Sequence, residues 1–517
     1  MNYHFYNNLA SMDKKAQFVE EIQKGYTTKG DYIYLGAGMI DGEVHSEAAV
    51  KIPLKTMNRH GLIAGATGTG KSKTLQIIAE NLSEKGVPVM LMDVKGDLSG
   101  IAEAAEEKDF ITERHLKLDF PFSATSSPAE ILTLSDQEGI RLRATVSEFG
   151  PVLLSRILDL TSTQTGILAI IFKYCDDNQL PLLDLKDLKK IIQYSTENGK
   201  EEFEKNYGRI SRASTGAILR KIVSLEQQGA DLFFGERSFE VNDLLRKTRD
   251  GKGYVNILRL TDIQDRPKLF STFMLSLLAE IYSTFPEKGD MDKPELVMFI
   301  DEAHLIFEEA SDALLDQIES IVKLIRSKGV GIYFVTQNPA DVPEEVLGQL
   351  GLKIQHALRA FTAKDRKAIK LAAENYPVSE FYDTKNMLTA LGIGEALVSA
   401  LDEKGRPSPL VATMLRAPMS RMDILSDKEL KDLINSSALV PKYNEELDRE
   451  SAYEILNRKI ETAEKEEAKE KAEKERKEVT KPSSRRRTKS SEGAIIKVLT
   501  SATFIRGVMG ILNKFLK

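Results

Sequence analysis

One octapeptide near the amino terminus constrains the fold of this chain more than any other feature. It runs from Gly65 to Ser72 and reads GATGTGKS, which fits the phosphate-binding loop pattern GxxxxGK(S/T) at every position. The short apolar stretch 60–64 before it predicts a strand, and the helical spacing of apolar residues over 73–82 predicts a helix. A strand, a glycine-rich turn and a helix in this order are the context that the motif needs. The chain is therefore predicted to be an α/β protein that binds nucleotide phosphates.

The residue types of this loop explain how it would hold phosphates. Its three glycines let the backbone curl so that N–H groups point at phosphate oxygens, and the following helix adds the positive end of its dipole. Lys71 is expected to reach the β- and γ-phosphates, and the Ser72 hydroxyl to bind Mg²⁺. The predicted nucleotide-binding residues are Gly65, Ala66, Thr67, Gly68, Thr69, Gly70, Lys71, Ser72 and Lys73. The alternative is a glycine-rich turn that matches the pattern by chance.

A second signal lies in residues 295–304. Five consecutive apolar residues, 296–300, predict a strand buried on both faces, as parallel sheets require, and Asp301 and Glu302 follow it. Asp301 suits direct or indirect support of Mg²⁺, and Glu302 suits the base that orients and polarises the attacking water. An apolar strand ending in Asp-Glu is common by itself. Downstream of a complete phosphate loop it predicts the catalytic carboxylates of a nucleoside triphosphatase.

Two further predicted strands carry polar residues. The strand within 329–339 ends in Gln337, which would contact the γ-phosphate or the water and report hydrolysis; the alternative is a helix N-cap beside Pro339. The stretch 351–361 is predicted to be a strand that carries Arg359. Arg359 would either act as a finger on the γ-phosphate held by an adjacent subunit or be a surface or salt-bridged arginine.

A polar turn follows another buried strand, 86–93. In an open α/β sheet the carboxyl ends of the strands form the edge where ligands sit. This would place Asp93 near Mg²⁺ or the phosphates, and Lys95 and Asp97 near the nucleotide or a neighbouring subunit. The alternative is a turn that caps the next helix.

The length and the composition bound the architecture. A chain of 517 residues is too long for one core. The predicted organisation is a small N-terminal α/β element (1–54), an ATPase core (55–129 and 251–420), a helical insertion (130–250), a helical extension (421–460), a charged linker (461–492) and an amphipathic C-terminal segment (493–517). That last segment would dock on a partner subunit, pack on its own domain or lie on a membrane surface.

Charge and cysteine usage restrict the partners and the compartment. The net charge of −6 gives no global attraction to nucleic acid, so a DNA-binding surface would have to be local, such as the lining of a channel. Arg485 to Arg487 would either touch nucleic acid or belong to a solvated tether. The one cysteine, Cys175, excludes an internal disulfide framework, and no apolar run is long enough to span a bilayer. We expect a cytoplasmic protein without a transmembrane segment.

The order of these motifs resembles the HerA/FtsK superfamily, in the additional-strand, catalytic-glutamate division of P-loop ATPases. Within it the chain is similar to bacterial HerA-like helicases or ATPases of unassigned role. The residues that carry the resemblance cover the chain from about 55 to 420, and they are 65–72, 93–100, 299–304, 336–339, 355–361 and 394–399. The first and third of these stretches are specific to ATPases, and the others to the group.

The resemblance implies a RecA-like core in a homo-hexameric ring that hydrolyses ATP with Mg²⁺ at subunit interfaces and pumps duplex DNA through its pore. The β-barrel expected ahead of the core is reduced here to about fifty residues, which puts the binding of a partner nuclease and DNA loading in question; the protein partner stays unassigned. A second hypothesis is an ATP-gated assembly or regulatory protein that does not move DNA. A nucleotide kinase is a third, but kinases lack an Asp-Glu pair on a separate buried strand.

Overall fold

A computed structural model describes residues 2–263, 266–289, 291–307, 312–445, 447 and 449–479. The chain divides into a first unit that reaches Leu456 and a second that begins at Asn457. The described part of the second unit, 457–479, is helical and carries glutamate and lysine four residues apart, as at Glu461 and Lys465. The predictions for Arg485 to Arg487, for the linker beyond residue 479 and for the C-terminal segment lie outside the described residues.

The strands of the described residues form one sheet of twelve. They are β1 (Tyr32–Ile40), β2 (Glu43–Pro53), β3 (Gly61–Ala64), β4 (Val89–Asp93), β5 (Ala129–Thr133), β6 (Ile140–Arg141), β7 (Val255–Arg259), β8 (Leu296–Ile300), β9 (Val330–Thr336), β10 (Leu352–Gln355), β11 (Glu395–Ser399) and β12 (Val411–Leu415).

The described residues form eighteen α-helices. They are α1 (Asn2–Tyr26), α2 (Lys71–Glu84), α3 (Asp109–Lys117), α4 (Val146–Ile157), α5 (Ser162–Asp177), α6 (Leu185–Thr196), α7 (Lys200–Tyr207), α8 (Arg212–Glu226), α9 (Ala230–Phe233), α10 (Pro267–Thr284), α11 (His304–Phe307), α12 (Asp312–Ile325), α13 (Glu344–Leu347), α14 (Ala363–Glu374), α15 (Thr384–Ala390), α16 (Asp427–Ser436), α17 (Val440–Tyr443) and α18 (Ala452–Val479). None of the helices in the described residues is long and apolar enough to cross a membrane.

The strand order is β2-β1-β12-β11-β10-β3-β9-β8-β4-β7-β5-β6. The strands from β10 to β6 pair in parallel, whereas β11, β12, β1 and β2 pair antiparallel. β9 lies between β3, which leads into the phosphate loop, and β8, which ends before Asp301. This is the additional strand that the resemblance to the HerA/FtsK superfamily implies, and the parallel sheet confirms the α/β fold class.

The sheet is larger than the sequence indicates. The hairpin of β1 and β2 joins the central sheet through β12, so these residues extend the same layer. The sequence does not predict β5 and β6, because a five-residue and a two-residue strand carry too little periodicity to distinguish them from the helices that follow. The predicted hairpin of 391–399 with 409–414 is confirmed as the antiparallel pair β11 and β12.

The core lies between the sheet and α2 on one face. Leu75, Ile78 and Leu82 of α2 are buried and belong to the same apolar cluster as Ile63 of β3 and Phe299 of β8. These residues recur with helical spacing, so the sequence forms a helix whose apolar side covers the strands. The helix after the phosphate loop is thereby fixed to the sheet, which positions the loop.

Helices α4 to α9 follow β6 as the helical block that the sequence indicates. Three of them begin with a side-chain cap and a reciprocal acid or amide three residues later, as in Thr145 with Glu148 and Thr161 with Gln164. The ring of Tyr174 stacks on that of Phe203 at 4.2 Å inside the block. The block has its own packed interior and lies in the sequence between strands of the sheet.

Candidate nucleotide-binding site

The candidate site lies at the carboxyl edge of the parallel strands. Cα pairing sets Ala64 beside Thr336, and Phe334 beside Ile300, so β3, β9 and β8 end at the same edge. β4 continues this row, with Met92 beside Ile300. The phosphate loop, Gln337, the two carboxylates and the turn after Asp93 therefore meet at one place, as ligand sites do in open α/β sheets.

The phosphate loop is held by backbone hydrogen bonds that it donates to the end of β9 and to the segment after β10. The N–H of Gly65 donates to the Thr336 carbonyl at 3.2 Å, and that of Ala66 to the Ala357 carbonyl at 2.9 Å. Gly65 has a φ of 154°, and a Cβ added there would lie 2.5 Å from Cβ of His356. Gly70, the N-cap of α2, has a φ of 113°, a conformation that glycine adopts without strain and residues with a side chain rarely adopt. The loop thus has the curled backbone that the motif requires.

Lys71 is folded back over the loop. Its side chain is buried, and Nζ donates to the carbonyls of Gly65 at 2.7 Å and Ala66 at 3.3 Å. Burial and then Lys95 lower the pKa of Lys71, while Glu302 and Asp301 oppose this. Its hydrogen-bond acceptors are neutral carbonyls, which an ammonium exchanges readily for charged oxygens.

Asp301 and Glu302 follow β8. One strand, β9, separates β8 from β3, which leads into the phosphate loop. Both are buried, 3% and 6% exposed. Oδ2 of Asp301 and Oε2 of Glu302 have no hydrogen-bond partner among the described residues. Burial raises the pKa of Asp301 to about 7, against the opposing effect of Lys95. Two buried carboxylate oxygens without a donor are suited to a divalent cation and to a water molecule.

A lysine and a histidine side chain flank Glu302. Nζ of Lys95 lies 2.5 Å from Oε1 of Glu302, and Nδ1 of His304 lies 3.3 Å from Oε2. Burial disfavours the charged form of Lys95, but Asp301 and Glu302 outweigh it and raise the pKa of the lysine. The sequence predicts Lys95 near the nucleotide or a neighbouring subunit, and no local pattern indicates this ion pair.

The Asp93 carboxylate closes the turn that follows β4. It accepts the backbone N–H groups of Gly96 at 2.7 Å and of Asp97 and Leu98 at 3.1 Å each. Burial raises the pKa of Asp93 to about 6 although these three donors oppose the rise. Its oxygens are engaged in shaping the turn, which corresponds to the structural alternative stated for this aspartate.

His356 is a residue of the site that the sequence analysis missed. It follows β10, is fully buried, and its Nε2 lies 2.9 Å from the Thr74 hydroxyl on α2. Burial lowers the pKa of His356 to about 4, so the ring is neutral at pH 7. Its backbone N–H also donates to the Ala64 carbonyl at 2.7 Å. The signal in the sequence is a histidine in the middle of the predicted strand 351–361.

The remaining predicted residues occupy different positions. Gln337 is exposed at the tip of β9, and Ser72 is half-buried at the start of α2. Nζ of Lys73 donates to the Met422 carbonyl at 2.6 Å and so bonds to a segment outside the loop. The predicted strand 351–361 is wrong beyond Gln355, because the chain turns there to bond with the phosphate loop. Arg359 is exposed in the irregular segment that follows and forms no ion pair with any described residue.

The chain is similar in sequence to a known protein family. Residues 39–508 match the family model of the helicase HerA-like C-terminal domain. The DNA double-strand break repair helicase HerA of Sulfolobus acidocaldarius is 22% identical over 358 residues, which are 69% of this chain and 65% of that protein. The protein of the same name from Sulfurisphaera tokodaii is 26% identical over 360 residues, again 69% of this chain and 65% of the relative. The chain thus spans about two thirds of these relatives.

A solved structure shares the fold. The bacterial conjugative coupling protein TrwBdeltaN70 superposes with a TM-score of 0.51 at 14% identity, over 79% of this chain and 94% of that one. The additional strand between β3 and β8 is in keeping with a RecA-like P-loop NTPase core. The chain belongs to the helicase HerA-like C-terminal family.

Proposed function

We propose that this chain hydrolyses ATP and couples hydrolysis to movement along DNA. One observation carries the proposal: the phosphate loop with Lys71 follows β3 and Glu302 follows β8, and only β9 lies between these two strands. A phosphate cradle and a buried carboxylate with one free oxygen are the two parts that triphosphate hydrolysis needs.

Each residue of the site has a separate task in this proposal. The loop from Gly65 to Gly70 binds the phosphates through its N–H groups, and Lys71 leaves the loop carbonyls to bind the β- and γ-phosphates. Ser72 and Asp301 would hold Mg²⁺. Oδ2 of Asp301 has no hydrogen-bond partner in the described residues and would be a ligand of the ion. Bound Mg²⁺ supplies charge neutralisation on the phosphate oxygens. Glu302 orients the attacking water and accepts its proton.

Gln337 and Arg359 complete the site from its open side. Gln337 is exposed at the tip of the strand between the loop and the carboxylates, where it would sense the terminal phosphate or the water. Arg359 is exposed and without an ion pair in the described residues, so it is free to reach the nucleotide of a neighbouring subunit. This role requires an oligomer, and we propose a hexameric ring.

DNA is proposed as the track because the relatives are described as DNA double-strand break repair helicases. Duplex DNA is the form that we favour. The net charge of −6 favours a second candidate, an ATP-gated regulator that does not move DNA, because it provides no general attraction to phosphates.

The test is a phosphate-release assay on the full chain, sized by light scattering, without DNA and with duplex or single-stranded DNA. Hydrolysis that duplex DNA stimulates supports the motor, and hydrolysis that ignores both forms of DNA supports the regulator. Lys71→Ala, which lacks the cation of the loop, is the control. If the parent chain releases no more phosphate than Lys71→Ala, the proposed ATPase activity is wrong.

A further inference from the structure

The ion pair between Lys95 and Glu302 has no part in the roles proposed so far. Lys95 follows β4 and Glu302 follows β8, and these strands are neighbours in the sheet. The pair of 2.5 Å therefore joins two strand tips beside the phosphate loop. The Glu302 side chain is 8% exposed and that of Lys95 is 35% exposed. The ammonium can leave toward the open side of the site, whereas the carboxylate is enclosed.

The backbone on both sides of this pair is fixed. The turn that carries Lys95 is closed by the three N–H bonds to Asp93. Glu302 has a φ of 48°, a left-handed conformation that costs a residue with a side chain about 1 kcal/mol. Such conformations persist where the surroundings hold them, and they are concentrated at functional sites. A change of partner at this pair is therefore confined to a rotation of the lysine side chain.

The charges around Lys95 provide it with an alternative partner. Nζ of Lys71 lies on the carbonyls of the phosphate loop and Nζ of Lys95 lies on Glu302. The charge of Lys95 lowers the pKa of Lys71, as expected of two cations in one site. Once a triphosphate lies on that loop, two anions compete for Lys95. Glu302 carries a single negative charge, and the terminal phosphate carries more. Bonds between an ammonium and phosphate oxygens are among the strong charge-assisted hydrogen bonds.

We propose that Lys95 distinguishes a nucleoside triphosphate from a diphosphate: it holds Glu302 while no terminal phosphate is present and moves to the γ-phosphate when one is bound. This move releases Oε1 of Glu302, so that neither oxygen of the carboxylate is held by a hydrogen bond when the attacking water binds. The inference rests on the proposed nucleotide site and adds to it a positioning residue that links the bound nucleotide to the catalytic carboxylate.

A double-mutant cycle on the full chain tests this step without measuring turnover. The dissociation constants of the β,γ-imido analogue of ATP and of ADP, both with Mg²⁺, are measured by calorimetry for the parent, Lys95→Met, Glu302→Gln and the double variant. Glu302→Gln releases Lys95 and should tighten binding of the imido analogue about tenfold, a difference of about 1.4 kcal/mol, without tightening ADP binding. In the Lys95→Met background the same change should have no such effect.

Three outcomes separate the possibilities. If Glu302→Gln tightens binding equally in both backgrounds, the loss of charge repulsion explains it and the inference is wrong. Equal tightening of ADP and of the analogue contradicts it as well. A parent chain that binds neither nucleotide would remove the proposed nucleotide site itself. Lys189→Met is the matched control, because Lys189 also forms an ion pair, with Glu226 at 2.6 Å, and is 29% exposed, but lies in the helical block away from the site. Lys95→Arg keeps the positive charge, so binding of the analogue should still depend on Glu302.

Discussion

Arg416 and Glu80 form a buried ion pair, with 2.6 Å between Nη2 and Oε1 and side chains only 4% and 3% exposed. Glu80 lies on α2, the helix that begins at Lys71. It also accepts the backbone N–H groups of Met419 at 2.9 Å and Ser420 at 3.0 Å. The segment after β12 is thereby attached to the helix that carries the phosphate loop.

Loss of Arg416 should lower the stability of the chain substantially. Arg416→Met leaves Glu80 charged and buried without its cation, which typically costs about 3–5 kcal/mol in the free energy of unfolding. Urea unfolding followed by circular dichroism measures the change. Arg406→Met is the control, because Arg406 pairs with Asp402 but its side chain is 71% exposed, and it should change stability little. Equal stabilities of the two variants would contradict the prediction.

Lys71 and Glu302 should separate binding from turnover. Lys71→Ala removes the cation of the loop, so nucleotide-dependent activity should be abolished. Glu302→Gln keeps the shape of the side chain but loses the proton acceptor, so ATP should still bind while hydrolysis falls by about 10²–10⁴-fold. Calorimetry measures binding and phosphate release measures turnover. Hydrolysis at the parent rate by Glu302→Gln would show that this carboxylate is not the base.

Asp301 should make the stability of the nucleotide-free chain depend on pH. Its pKa is raised to about 7 by burial, above the value of an unfolded aspartate. A raised pKa contributes stability that is present below the unfolded pKa, near 4, and is lost as the pH rises toward 7. Asp301→Asn is neutral at every pH, so it should stabilise the chain more at pH 8 than at pH 5, by an amount on the order of 2–4 kcal/mol.

The measurement is urea unfolding of the parent and of Asp301→Asn at pH 5, 6, 7 and 8. Asp243→Asn is a control outside the site, because Asp243 pairs with Lys442 at 2.8 Å in another part of the fold. A difference between Asp301→Asn and the parent that stays constant over this range would mean that Asp301 is already ionised at pH 5.

The features that could be predicted from the sequence are those whose signal is local. The phosphate loop is eight consecutive residues, and the strand before Asp301 is an unbroken apolar run. Each can therefore be identified from the sequence without knowledge of the fold. The helical spacing after Lys71 and the hairpin of β11 and β12 are local patterns of the same kind. Together they determine the fold class and the edge at which the site forms.

The contacts that could not be predicted join residues that are distant in the chain. The bonds of Lys95 to Glu302 and of Thr74 to His356 follow from the order of the strands, which no local pattern contains. Asp93 illustrates the same limit. A carboxylate after a strand fits both a ligand site and a turn, and only its three backbone donors identify the turn.

Arg359 should act between subunits. It is exposed and has no ion pair in the described residues, so Arg359→Ala should leave stability and nucleotide binding unchanged while turnover falls by about 10³-fold. If Arg359 acts on the nucleotide of a neighbouring chain, the two variants can complement each other. At some interfaces the Arg359→Ala subunit provides an intact Glu302, and the Glu302→Gln subunit provides an intact Arg359. Mixing these two inactive variants should therefore restore part of the phosphate release. No recovery in mixtures that light scattering shows to be co-assembled would mean that Arg359 acts within its own chain or not at all.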